Sequence, residues 1–209
     1  MISRRAAGLE LTLFLAIVFS FIWIWRDLPH AKLIVQVLGL GLTIGSHFLH
    51  RETPRAIGFR FSNLVPALKE AAIITLPIAI VLVIIGVARG TWKDEALDPA
   101  RFAELAGWAL LQQYLLQGFI HRRLGALIAP SYARDAAVGV IFAALHLPNP
   151  ILVPVTFVAG TIFAILYRRQ PNLWVVALCH AVGSTAVAFA FDPTLLHKMR
   201  VGPGYFAGR

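Results

Sequence analysis

Seven stretches of this chain are almost unbroken runs of apolar residues, and short polar or proline-bearing breaks separate them. They fall near Leu9–Trp25, Leu33–Leu49, Leu64–Val87, Pro99–Arg122, Arg134–Leu147, Ile151–Tyr167 and Leu173–Phe191. A helix needs about 20 apolar residues to cross a bilayer, so the pattern predicts an all-α, polytopic transmembrane bundle of about seven helices. The fifth stretch is short for a crossing and is expected to end inside the bundle. The breaks carry turn chemistry at Asp27-Leu28-Pro29, Thr53-Pro54, Pro130, Pro148-Asn149-Pro150 and Pro171-Asn172. The chain shows no soluble domain and no internal repeat, so residues 1–209 read as a single integral membrane domain.

Composition agrees. The chain is 58% hydrophobic and 14% charged, against roughly 45–50% and about 25% for a soluble domain. A net charge of +9 raises nucleic acid as a partner, but the basic residues stand singly or in pairs between apolar runs, as at Arg4–Arg5, Arg122–Arg123 and Arg168–Arg169. That is the distribution of helix-end anchors, so the expected partner is the lipid bilayer and not nucleic acid. The excess of Lys and Arg, Lys93 and Arg209 included in the tally, favours a cytoplasmic N-terminus. Met1–Arg5 followed by Leu11–Trp25 has the order of a signal peptide without a small-residue cleavage motif, and reads as a retained first span. Cys179 is the single cysteine, which excludes an intrachain disulfide.

Against this apolar background a few polar side chains stand out: Gln112, Gln113 and Gln117, then His146, then His180 and Ser184. Ionisable and polar groups at membrane depth are costly, and usually face a bundle interior with a function to serve. Counted from the basic or polar helix ends at Arg122, Arg134 and Asn172, Gln112, His146 and His180 lie about 15, 18 and 12 Å deep. A shared depth suggests a shared site. Gln113, Gln117 and His121 follow at i, i+4 and i+8, which predicts a polar stripe on the fourth helix. The alternative is interhelical hydrogen bonding without further function. Gly41 and Gly45 match a small-xxx-small packing pattern, and His47 and His50 read as interfacial residues.

Gln112-Gln113-Tyr114-Leu115-Leu116-Gln117-Gly118, Phe142-Ala143-Ala144-Leu145-His146 and His180-Ala181-Val182-Gly183-Ser184 together resemble the CPBP (CAAX protease and bacteriocin-processing, or Abi) family of intramembrane endopeptidases. That family's pattern is Glu-Glu-x-x-x-Arg, Phe-x-x-x-His and His-x-x-x-Asn or Asp on successive helices. The likeness covers a core of about residues 99–191 and leaves an irregular basic tail at about 192–209. It implies hydrolysis of a peptide bond in a membrane-embedded or lipid-anchored peptide, such as a prenylated CAAX-like C-terminus. It also implies His146, His180, Gln112, Gln113, Gln117 and Ser184 as the catalytic set, and the bacterial cytoplasmic membrane as the location.

The departures sharpen the question. Both glutamates and the arginine of the first motif are glutamines here, and a carboxamide cannot act as a general base near neutral pH. Glu104 and Glu70 lie near helix ends. Hydrolysis then falls to His146 or His180, or to a divalent metal such as zinc held by both, with His121 as a possible third ligand. A catalytically impaired relative that binds or escorts membrane peptides is the alternative, and a bis-histidine haem protein is a further one.

Overall fold

The computed structural model describes residues 2–91 and 98–208; Lys93 and Arg209 of the charge tally lie outside the described residues. The chain forms α1 (Arg4–Ser20, continued by a π turn at Phe21–Trp25), α2 (Ala31–Leu49), the short α3 (Pro54–Ile57), α4 (Leu64–Ala88), α5 (Pro99–Gln113), a π segment (Tyr114–His121), α6 (Arg122–Leu127), α7 (Ser131–Ala144), α8 (Leu152–Arg169) and α9 (Leu173–Ala190). Among the described residues there is no strand. Five helices are long and apolar enough to cross a membrane: Arg4–Trp25, α2, α4, α8 and α9. The protein is therefore an all-α, multi-pass integral membrane bundle. The fifth predicted segment is the 14-residue α7, which turns at His146–Pro150 and returns as α8.

Side-chain caps start the helices where the sequence breaks. Ser3 accepts from the Ala6 amide and Asp98 from the Ala100 amide. Asn172, fully buried, accepts from the Val175 amide and donates to the Arg60 carbonyl and to Asn63. In apolar surroundings each backbone group needs such an internal partner. α7 packs along α8, and α9 lies against α4 and α5. The small-residue contact predicted at Gly41 and Gly45 is not there: a side chain at either would meet nothing within 4 Å, because α2 turns Gly39, Thr43, Ser46 and His47 inward instead. Close approach occurs between α7 and α8, where a Cβ on Gly160 would lie 3.1 Å from the Gly139 Cα.

The front hairpin α1–α2 is held to the rest by an ion network that sequence reading did not find. Arg123 is 1% exposed. Its Nε donates to Glu10 Oε2 at 2.7 Å, and its Nη2 donates to Glu52 Oε2 at 2.7 Å and to Ser46 Oγ at 2.6 Å. Arg122 donates to Glu52 Oε1 at 2.8 Å. His47 Nδ1 and His50 Nε2 bond Glu52 and Glu10 at 2.8 and 2.7 Å. His47 and His50, at the end of α2, are thus members of this network. Arg123 also lies over the Phe119 ring, 5.0 Å from its centroid.

Burial alone would raise the Glu52 carboxyl's pKa, but hydrogen bonds from His47, Arg123 and Arg122 and the Arg122 charge outweigh it. They hold the group well below its ordinary value of 4.5. A depressed carboxylate stabilises the fold at pH values above its unfolded-state value, and that contribution is lost as pH falls towards its folded-state value. Thermal unfolding of the purified protein should therefore hold steady from neutrality down to about pH 5 and decline below it, with Glu52→Gln flattening the decline. Removing Arg123 takes a charged partner from two half-buried carboxylates, leaving Glu10 with His50 and Ser46 and Glu52 with Arg122 and His47. Arg123→Ala should therefore cost about 3 kcal/mol, more than Arg122→Ala in the same measurement.

Candidate active site

The bundle holds a partly open chamber of about 850 Å³ with largely apolar walls drawn from α1, α2, α4, α5, α7, α8 and α9. Four of the six candidate residues line it: Gln112, His146, His180 and Ser184. The other two do not. Gln113 and Gln117 are fully buried and sit behind the wall. The four lining residues are half-buried, facing the cavity.

α5 carries Gln112 and Gln113 in its last turn, and the π segment follows at once. π turns are rare and frequent at functional sites. The expected stripe residues Gln113, Gln117 and His121 are all buried, but they meet different partners. His121 bonds Asp135 Oδ1 at 3.1 Å and meets the Tyr167 ring edge-on, and it does not line the chamber. Tyr114 packs on His47 and Phe59.

The two histidines are held through their Nδ1 atoms in opposite senses. His146, just past the end of α7, has Nδ1 2.7 Å from the Phe142 carbonyl. A carbonyl only accepts, so Nδ1 carries the proton and the neutral ring offers Nε2 as a lone pair. His180, on α9, receives at Nδ1 a hydrogen bond from Gln113 Nε2 at 3.0 Å, which puts its proton on Nε2. Phe142 touches both rings edge-on, at 4.8 Å to His146 and 5.6 Å to His180, and Phe163 packs against His180 at 5.7 Å. One ring thus presents an acceptor and the other a donor within the same chamber.

Among the described residues, Gln113 Oε1 and both amide atoms of Gln117 have no hydrogen-bond partner. Each buried orphan costs about 1–3 kcal/mol, so the pair is kept at a cost in stability. Cys179 lines the chamber and receives a weak hydrogen bond from Thr75 at 3.7 Å; the geometry gives it no basic partner. Asn149, fully buried, spends its amide on the Leu196 and Arg200 carbonyls and on the Ile151 and Leu152 amides, so it braces the turn and is not free for substrate. Glu70 pairs with Arg169.

Zinc sites that catalyse hydrolysis usually take three protein ligands. Among the described residues no group of three or more His, Cys, Asp and Glu side chains could hold a metal ion. His146 and His180 supply two nitrogens and His121 is turned to Asp135, so this donor set does not fit zinc.

Residues 102–186 match the family described as type II CAAX prenyl endopeptidase Rce1-like. The matched stretch contains all three motifs, and the chain carries an Rce1-like segment of CPBP type. The family is one of CAAX-processing intramembrane proteases, which agrees with the multi-pass bundle. Searches of curated proteins and of solved structures gave no match to the chain.

Sequence reading missed the Gln113–His180 bond and the division between lining and supporting residues. A polar residue one position from Gln112 carries no signal of which faces the cavity. Two measurements check the geometry. Ring-nitrogen NMR of labelled histidines should show His146 protonated at Nδ1 and His180 at Nε2, with Gln113→Leu erasing the His180 preference. Gln117→Met removes two orphaned amide atoms at similar volume and should raise stability by about 1 kcal/mol in thermal unfolding.

Proposed function

We propose that the protein is an intramembrane endopeptidase of CAAX-processing type, cleaving a peptide bond in a membrane-embedded or lipid-anchored substrate, with His146 and His180 in place of the missing glutamate. The observation that carries this reading is that the two Nδ1 atoms face opposite kinds of partner, a carbonyl oxygen at His146 and an amide nitrogen at His180. His146 Nε2 takes a proton from an attacking water as general base. His180 Nε2–H, with the Gln112 amide and the Ser184 hydroxyl, donates to the carbonyl oxygen as it becomes an oxyanion. His146 then returns the proton to the leaving amine. Gln113 acts through His180 and is a positioning residue; Gln117 fills the space behind it. Within this reading the protein sits in a bacterial cytoplasmic membrane with its N-terminus on the cytoplasmic side, where the Arg123 network lies.

A second reading is favoured by one observation. Gln112 lines the chamber where the family's glutamate would activate water, and its amide has no basic site. Such a protein would bind a membrane peptide and hold it uncleaved.

Cleavage of a farnesylated CAAX-like peptide by the reconstituted protein separates the two. The peptidase reading expects product from wild type and about a hundredfold to ten-thousandfold less from His146→Ala, the span that general acid–base catalysis covers. His180→Ala should fall by a comparable factor, and Gln112→Glu should gain activity. Equal turnover by wild type and both histidine variants would overturn the peptidase assignment.

A further inference from the structure

Part of the chamber wall comes from a segment that lies outside the Rce1-like stretch. After α9 the chain folds back as two short 3₁₀ turns, His197–Met199 and Gly202–Gly208, and Met199 and Val201 become part of the chamber wall. Three successive residues, His197, Lys198 and Met199, have φ of 47°, 52° and 57°, a left-handed run that non-glycine side chains rarely adopt. Such backbone persists only where its surroundings over-determine it.

Here they do. Asn149 Nδ2 donates to the carbonyls on both flanks of the run, Leu196 at 2.9 Å and Arg200 at 3.3 Å. Arg26 Nη1 donates to the Val201 carbonyl at 2.8 Å, and the Gly202 amide donates to the Leu147 carbonyl at 2.7 Å. Leu196 packs with Leu152 and Val187. Gly202 has φ of 60°, and a Cβ there would lie 2.8 Å from the Ile22 carbonyl oxygen, so only glycine fits. The clamp ties the segment to the α1 end through Arg26 and Ile22, and to the turn that carries His146. A segment held this firmly in a costly conformation has its side chains aimed for a reason.

We infer that Met199 and Val201 form the end wall of the chamber and set the length of the aliphatic chain it admits. Met199 and Val201 line the chamber together with Gln112, His146, His180 and Ser184. They lie at the end of the bundle where Arg26, just past α1, bonds Val201, whereas Glu10, near the start of α1, bonds Arg123 at the opposite end. An apolar chain lying along it places its polar junction at the histidines only when its length matches the distance to that wall. This rests on the reading of the chamber as the seat of a lipid-anchored or membrane-embedded substrate, and concerns how that seat measures the apolar part. Met199 is unbranched and flexible, a side chain suited to filling an irregular end.

The test uses the full chain in nanodiscs of one defined lipid, with non-cleavable n-alkyl amides of graded length that carry a terminal diazirine. Saturable photolabelling is read as affinity against chain length. Met199→Ala should move the optimum to longer chains. Met199→Trp and Val201→Phe should move it to shorter ones. A misfolded variant would lose labelling at every length instead of shifting the optimum, and the opposed signs of the variants keep the outcome readable. An optimum unchanged in all three variants overturns the inference, as does wild-type protein that shows no saturable labelling. Neither result depends on hydrolysis, so the peptidase assignment stands or falls separately in the cleavage assay.

Discussion

A guanidinium shut away from water at the end of a membrane bundle constrains everything around it. Arg123 has two carboxylates, a serine and an aromatic face as partners, and an unpaired buried charge would be prohibitive. Glu10 comes from α1, Glu52 from the turn after α2, and Arg123 from α6, directly after the π segment. Satisfying that one charge therefore fixes the front hairpin against the helix that carries Gln112 and Gln113. The hairpin in turn supplies Phe14, Val18, Gly39 and Leu40 to the chamber wall. The Rce1-like stretch begins at residue 102, so the chamber is built jointly by that stretch and by helices outside it.

Inside the chamber the chemistry is one of neutral groups. Where the family pattern has a carboxylate pair and an arginine, this chain has carboxamides. Burial of charge at mid-membrane is expensive, and amides can orient an imidazole without it. The sense in which each ring is held matters more than the count of polar residues. A backbone carbonyl gives His146 a free lone pair, and an amide donor gives His180 a free N–H. That asymmetry is what a proton-transfer pair requires, and two rings held alike would lack it.

Much of this architecture was legible in the residues. The seven apolar runs became the observed helices, the short fifth run became α7, and Gln112, His146, His180 and Ser184 met in one cavity as their shared depth implied. Periodicity failed to show what each member of the stripe meets: Gln113, Gln117 and His121 are all buried, but Gln113 bonds His180 and His121 bonds Asp135. It failed too at Gly41 and Gly45, because a small-residue pattern does not say which helix face is packed. The Arg123 network was read as helix-end anchors, since Glu10 and Glu52 lie over 70 residues away in sequence for one contact and over 110 for the other. The segment beyond α9 had no hydrophobic pattern, and its place is set by two hydrogen bonds from Asn149, one from Arg26 and one from the Gly202 amide to Leu147.

The central claim is that His146 and His180 together hydrolyse a peptide bond within the membrane. Its most direct test is mass spectrometry of membrane-derived peptides from otherwise identical cells producing the wild-type protein or His146→Ala at equal abundance. The account predicts a discrete set of cleavage products that appear only with the wild-type protein and share an apolar or lipid-modified anchor near the new terminus. Indistinguishable peptide populations would contradict it, and would leave the chamber as a site that binds without cutting.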